Sequence, residues 1–254
     1  MNARALLIRG LIAGLVAGVA TFVVAYAVGE PHIDTAVSIE DGQPHTHSHD
    51  EAVEEEGGIE VSRDNQKTWG LLTGTLTVGL ALGGIVALVA ASTIGRLGSL
   101  APSQSTALVA LLGFVAFVLV PFLKYPGNPP AVGSGETIGD RAALYFGFVL
   151  VSVLAAVAST YGALKVRERL GTYGGVVAGI AAYLAVVVVA GQLFVTVNEV
   201  GAFPADTLWF FRRASLITLA TMWGVIGVVL TGLVSRLYAA QTAEAERRQL
   251  AAGL

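Results

Sequence analysis

Six apolar runs, each of 18 to 26 residues, restrict the folds open to this chain of 254 residues. The runs are residues 5–28, 69–94, 106–123, 142–164, 173–197 and 214–235. A helix of about 20 apolar residues crosses roughly 30 Å of hydrocarbon. The single charge inside any run is Arg9, which lies about one turn from the start of the first run and can extend to the interface. The runs therefore predict an all-α polytopic membrane protein with six transmembrane helices.

Composition excludes several other classes of protein. Charged residues make up 13% of the chain, about half of what a soluble domain carries. The chain has no cysteine and 2 methionines, so disulfides, thiolate zinc sites, iron–sulfur clusters and a thioether site for Cu(I) are all excluded. Any metal that the protein handles must bind through nitrogen or oxygen.

The charges between the runs predict the orientation. The N-terminus, residues 95–105, residues 165–172 and the tail together hold nine basic and three acidic residues, a sum of +6. The remaining segments hold six basic and fifteen acidic residues, a sum of −9, and the two sums give the net charge of −3. Because cytoplasmic loops are enriched in Lys and Arg, both termini are predicted to be cytoplasmic, in a multi-pass protein of the plasma membrane.

The first run allows two interpretations. Arg4, the apolar stretch and Ala25-Tyr26-Ala27 resemble a secretory signal with its cleavage site, and cleavage would leave five spans. However, 24 apolar residues are long for a signal core, and Gly10, Gly14 and Gly18 form a smooth face that suits close helix packing. The length of the run and the glycine face both favour retention of this helix.

Residues 29–67 are predicted to form an external acidic loop, because they contain eleven acidic residues and all four histidines. A segment so polar is not expected to form a packed core of its own. Within it, His45, His47, His49 and Asp50 supply imidazole and carboxylate ligands that suit Co²⁺, Ni²⁺, Zn²⁺ or Cu²⁺. We expect this tract to capture a divalent ion, although a solvated acidic loop with incidental histidines would have the same composition.

The other two predicted external loops share an order of features. Each has an Asn just after a helix, then proline, then Asp, then an Arg directly before the next span, over Asn128–Arg141 and Asn198–Arg213. This order is consistent with a faint parallel repeat, as transporters often contain, or with similar constraints on two loops. Glu199 lies just beyond the end of the fifth apolar run, where the chain is expected to leave the membrane.

The sequence contains no motif typical of catalysis. It has no phosphate-binding glycine loop, no His-x-x-x-His pair on a helix and no nucleophile elbow in a suitable context. We therefore expect neither an enzyme nor a tightly bound cofactor, and the expected partners are lipid and a divalent ion, with no nucleic acid.

Three motifs in this sequence resemble those of a known family, both in their order and in the predicted spans that they lie between. They are Gly29-Glu30-Pro31 with Ile33-Asp34, the run from Lys124-Tyr125-Pro126 to Pro130, and Asn198-Glu199 followed by Phe203-Pro204-Ala205-Asp206 and Trp209. Together they resemble the CbtA family of predicted cobalt transporter subunits. The resemblance implies a cobalt importer linked to cobalamin supply, accompanied by a small histidine-bearing membrane subunit, CbtB.

From these observations we expect four segments: a first transmembrane helix (1–28), the external acidic loop (29–67), a five-helix membrane bundle (68–237) and a cytoplasmic tail (238–254). The expected function is that of a membrane subunit for Co²⁺ uptake. The alternative is a module that captures or senses Ni²⁺, Zn²⁺ or Co²⁺ and passes it to another carrier. Besides the histidine tract, the expected metal ligands at the outer mouth are Glu30, Asp34, Glu199 and Asp206.

Overall fold

The described part of the chain, residues 2–42 and 62–252 of a computed structural model, is helical and contains no strand. Its long helices are α1 (Ala3–Asp41), α2 (Arg63–Thr93), α3 (Pro102–Lys124), α4 (Ile138–Leu193) and α5 (Ala205–Ala252). All five are long and apolar enough to cross a membrane. The fold class predicted from the apolar runs, a helical membrane protein, agrees with this architecture.

Helix α4 folds back on itself at Gly171. This residue has φ 73° and ψ 176°, a left-handed conformation that glycine adopts without the cost of a side chain. Beyond the bend, a Cβ at Gly175 would lie 2.7 Å from the carbonyl oxygen of Ala163, and the hydroxyls of Ser152 and Tyr183 are 2.8 Å apart. The arms 138–170 and 172–193 are therefore an antiparallel hairpin, and each arm is as long as a membrane span.

A glycine face joins α1 to α2. Gly14 lies against the carbonyl of Gly79, and a Cβ placed on Gly83 would lie 2.8 Å from the Cα of Gly14. Gly10 similarly contacts the backbone at Gly83. The close packing predicted from the spacing of Gly10, Gly14 and Gly18 is confirmed, since an added Cβ on any of the three would lie within 3.0 Å of an atom of the α2 backbone.

Helix α5 runs antiparallel to both α1 and α3 through the middle of the bundle. His32 stacks on Phe210 with ring centroids 5.9 Å apart, and the hydroxyl of Thr21 is 3.7 Å from the sulfur of Met222. On the α3 side, Trp223 lies against Gly113. The residues of this core with no more than 1% exposure include Leu6, Ile226, Leu230 and Val234.

These contacts divide the described residues between two ends of the bundle. At one end, the turn after α2 approaches the bend of α4, because Gly98 contacts the guanidinium of Arg167. The start of α1 and the last half of α5 lie toward this same end. The other end, called the loop end below, is formed by residues 30–42, 125–137 and 194–204. The basic segments identified in the sequence thus group away from the loop end.

The helices extend beyond the apolar runs. Helix α1 does not end at Val28 but passes through a π-helical segment, Ala25–Gly29, and continues to Asp41. Residues at both ends of the predicted acidic loop are thus helical, while His45, His47, His49 and Asp50 lie outside the described residues. The extension is stabilised by packing, because Ala36 and Ile39 join an apolar cluster with Val132, Phe203 and Leu208. The predicted tail is likewise helical as far as Ala252.

Candidate functional site

The loop end is a packed assembly of three segments that are distant in sequence. Its apolar cluster joins the extension of α1 to the loop between α3 and α4 and to the loop between α4 and α5. The last two segments are also joined by Tyr125, whose hydroxyl donates a 2.6 Å hydrogen bond to the carbonyl of Val195. Burial raises the pKa of Tyr125, so this hydroxyl stays protonated and continues to donate.

Two of the predicted metal ligands, Glu30 and Asp34, share an arginine partner. Arg63, at the start of α2, pairs with Glu30 and lies 3.0 Å from the carboxylate of Asp34. Lys67 lies 3.2 Å from Asp64 and 4.0 Å from Asp34. The Glu30 side chain is only 9% exposed, so Arg63 supplies the charge that a buried carboxylate needs. The cluster connects α1 to α2 beside the π-helical segments Ala25–Gly29 and Gln66–Gly70.

A second carboxylate site is formed around Glu199. Its carboxylate accepts hydrogen bonds from the hydroxyl of Thr137 at 2.9 Å and from the backbone N–H of Ser134 at 3.3 Å. Arg141 approaches the same oxygen at 3.5 Å. Gly133, with φ 93°, leaves room for this pair, because a Cβ there would lie 2.9 Å from Glu199 and closer still to Arg141. Glu199 therefore holds the loop between α3 and α4 against the loop that follows α4.

Asp206 has a local role in the structure. Its carboxylate accepts a 2.8 Å hydrogen bond from the backbone N–H of Thr207 in the first turn of α5. A carboxylate at this position satisfies an otherwise unpaired amide and interacts favourably with the helix dipole. The side chain is exposed and does not join the clusters around Glu30 or Glu199.

The two loops that share a sequence order also exchange contacts. Arg212 of the second loop donates to the side-chain carbonyl of Asn128 at 2.9 Å and to the carbonyl of Gly127 at 3.3 Å. In return, Arg141 of the first loop pairs with Glu199 of the second. The residue that makes this exchange is Arg212 rather than Arg213, whose guanidinium lies 4.9 Å from the ring centroid of Phe210.

A cavity of about 680 Å³ lies between these loops. Its apolar wall includes Phe122, Phe146 and Leu219. The charged groups that line it are Lys124, Arg141, Arg212 and Glu199. Three cations and one carboxylate give the lining a formal charge of +2.

The predicted acidic ligands do not converge on a single point. Glu30 and Asp34 lie together, Glu199 lies in the cavity wall, and Asp206 caps its own helix. Within residues 2–42 and 62–252, no group of three or more His, Asp or Glu side chains is close enough to hold a metal ion. Sequence analysis missed the arginines that organise these carboxylates, because a guanidinium just outside an apolar run reads equally well as an interfacial anchor.

These features define a helical, multi-pass membrane protein whose loops are packed around a cavity, lined by apolar and charged residues, at one end. The chain matches the family described as "Probable cobalt transporter subunit (CbtA)" over residues 3–235, and it therefore belongs to that family. The resemblance stated from the three loop motifs is thereby confirmed. Comparison with curated proteins and with solved structures found no match in either set.

Proposed function

We propose that this protein is the membrane subunit of a Co²⁺ uptake system in the plasma membrane and that the imported metal supplies cobalamin synthesis. The observation that carries the proposal is the family match, which includes all five apolar helices up to residue 235. A transporter subunit implies a further subunit, and we propose a small histidine-bearing membrane protein of the CbtB type.

The proposed orientation has six crossings, with α4 contributing two. Both termini and the bend at Gly171 would face the cytoplasm, and the loop end would face outward. The charge sums of +6 and −9 support this orientation, because the positive sum belongs to the segments assigned to the cytoplasm.

In the proposed uptake route, the acidic segment between α1 and α2 raises the local concentration of cations, and its histidine tract captures Co²⁺. Protonation of the imidazoles below about pH 6.5 should remove their share of the capture, since a protonated ring nitrogen cannot ligate a metal. Glu30 with Asp34, and Glu199 near the loops, would then receive the ion at the mouth of the bundle, with Asp206 at its rim. Their location at the loop end supports this assignment.

Uptake of Co²⁺ by cells that express the protein, alone and with its partner, tests the proposal. Cells with the wild-type chain should accumulate more Co²⁺ than a vector control. Glu30→Gln and Glu199→Gln should each lower uptake more than deletion of residues 44–51. A ligand lost from a divalent ion acts directly, whereas enrichment by surface charge is screened within about 8 to 10 Å. The matched control is Glu244→Gln, an exposed carboxylate on α5 that pairs with Arg248.

Arg63→Gln separates a ligand role for Glu30 from a structural one. If Glu30 receives the ion, removal of its arginine competitor lowers the Co²⁺ concentration for half-maximal uptake, once uptake is normalised to protein amount. If Glu30 serves only to hold α1 to α2, Arg63→Gln and Glu30→Gln reduce uptake alike, with no change in that concentration.

Two results would contradict the proposal. Normal uptake by both carboxylate variants, together with none after deletion of residues 44–51, would move the essential site to the histidine tract. Failure of every variant and of the wild type to accumulate Co²⁺ would favour a module that captures metal and passes it to another carrier.

A further inference from the structure

The cavity at the loop end carries positive charge that its own lining does not neutralise. Arg141 is paired with Glu199, but neither Lys124 nor Arg212 has a carboxylate partner within the described residues. Lys124 lies 3.4 Å from the hydroxyl of Thr196, and among the described residues Arg212 donates only to neutral oxygens of Gly127 and Asn128. Two cations of this kind on one cavity repel each other and attract an anion.

The lining suits a ligand that carries a phosphate group on an apolar part of the molecule. Guanidinium and ammonium groups are the usual donors to phosphate oxygens, and arginine can donate two hydrogen bonds at once. Phe122, Phe146 and Leu219 provide an apolar wall beside them. The volume of about 680 Å³ is that of a small-molecule site and far exceeds a single oxyanion.

We infer that this cavity is an anion site that binds a phosphate group between Lys124 and Arg212. The phosphate belongs either to a free small molecule or to the headgroup of a lipid, since both present the same oxygens. The lining as a whole has a formal charge of +2, and Lys124 and Arg212 supply the part of it that no carboxylate pairs with. The ligand, by neutralising that charge, would also strengthen the contact between the two loops that Arg212 joins.

The full chain, purified in a detergent without phospholipid, allows the free-ligand source to be tested. Inorganic phosphate and glycerol 3-phosphate are titrated while thermal unfolding is followed. We expect saturable stabilisation, with the apparent affinity lowered about tenfold in Lys124→Gln and in Arg212→Gln, as loss of one charge-assisted hydrogen bond predicts. The matched control is Arg213→Gln, next in the chain but outside the cavity lining, and its affinity should equal that of the wild type.

A second arm tests the lipid source. The same proteins are reconstituted in nanodiscs of phosphatidylcholine with a minor fraction of phosphatidylglycerol, and the lipids retained on release are identified by native mass spectrometry. Retention of phosphatidylglycerol by the wild type and Arg213→Gln, with loss from Lys124→Gln and Arg212→Gln, assigns the site to a lipid headgroup. Arg212→Lys keeps the charge and should recover part of the binding, which separates charge from correct folding of the loop.

Either positive arm supports the anion site. It is overturned if neither the phosphates nor the anionic lipid bind the wild type, or if the Arg213→Gln control loses as much affinity as the two cavity variants. These binding experiments do not depend on Co²⁺ uptake, so their results can be interpreted even if the transport proposal fails.

Discussion

Glu30 is a buried carboxylate that pairs with Arg63. Its side chain is 9% exposed and that of Arg63 is 33% exposed, so the pair is shielded from water on the Glu30 side. Removal of one partner from such a pair costs more than the pair contributes, because the remaining charge stays buried without compensation.

Arg63→Gln should therefore destabilise the protein by about 1 to 3 kcal/mol, the usual cost of an unsatisfied buried polar group. Lys67→Gln is the control, because its closest partner, Asp64, is 87% exposed and such pairs contribute little. Thermal unfolding in detergent measures both. Equal destabilisation by the two substitutions would contradict a special role for the Glu30 pair.

At the residue scale, the sequence placed Glu30 and Glu199 just beyond apolar runs but did not predict their partners. Glu30 and Arg63 are 33 residues apart, and their contact depends on the register of α1 against α2. The pairing of Glu199 with Arg141 similarly depends on the fold of α4 at Gly171. No local pattern carries this information, so the charge balance of the site became visible only in three dimensions.

At the scale of helices, the α1–α2 interface depends on the absence of side chains. A Cβ on Gly14 would overlap the carbonyl of Gly79 and lie 3.0 Å from the Cα of Leu80. Because these are backbone atoms, neither side can adjust by a change of rotamer, and the helices would have to separate. Lipid supplies no hydrophobic drive for helix association, so the lost dispersion contacts are not replaced.

Gly14→Ala should thus destabilise the fold by about 1 to 3 kcal/mol, as overpacking of a tight interface does. The control is Gly74→Ala on α2, where nothing lies within 4 Å and alanine should be neutral or stabilising by up to about 1 kcal/mol. The midpoint of thermal unfolding and the monodisperse fraction after purification are measured for both variants. The interface as described would be wrong if Gly14→Ala were as stable as the wild type.

Glycines spaced four residues apart also occur outside α1, and only some of them lie against another helix. Gly79 and Gly83 meet α1, and Gly175 and Gly179 meet the other arm of α4, whereas a Cβ on Gly74 would have no neighbouring element within 4 Å in the described part of the chain. Spacing by four residues defines a face of a helix, but not whether another helix covers it. Helix ends were missed for a related reason: apolar runs mark the length of chain in hydrocarbon, and packing outside it extends α1 to Asp41.

At the scale of the whole molecule, the helical contacts group the basic segments. Gly98 meets Arg167, and α1 begins at the same end, because Gly10 lies against Gly83 near the end of α2. The charge sums used only the order of segments along the chain, so the sequence alone could indicate this grouping. It could not indicate that the loops on either side of α4 would pack around a cavity, since that packing depends on contacts such as the hydrogen bond from Arg212 to Asn128.

The orientation of the bundle in the membrane remains a prediction that reporter fusions can test. A reporter that fluoresces only in the cytoplasm should be active at either terminus, near Gly98 and near Gly171. A phosphatase that is active only outside should respond at residue 50, near Gly133 and near Gly201. Activity of the cytoplasmic reporter at residue 50 would contradict this orientation.

N-terminal sequencing of the purified protein decides whether the first helix is retained. A mature chain that begins near Val28 would lack Gly10, Gly14 and Gly18, and Gly79 and Gly83 would then face lipid as an uncovered backbone surface. Cleavage near Val28 would also remove Leu6, Ala13 and Ala17 from the core, each of which has 1% exposure or less. Because one face of this helix packs against α2 and α5, we expect N-terminal sequencing of the purified protein to begin before residue 10. A start near Val28 would show instead that the remaining helices pack in another arrangement.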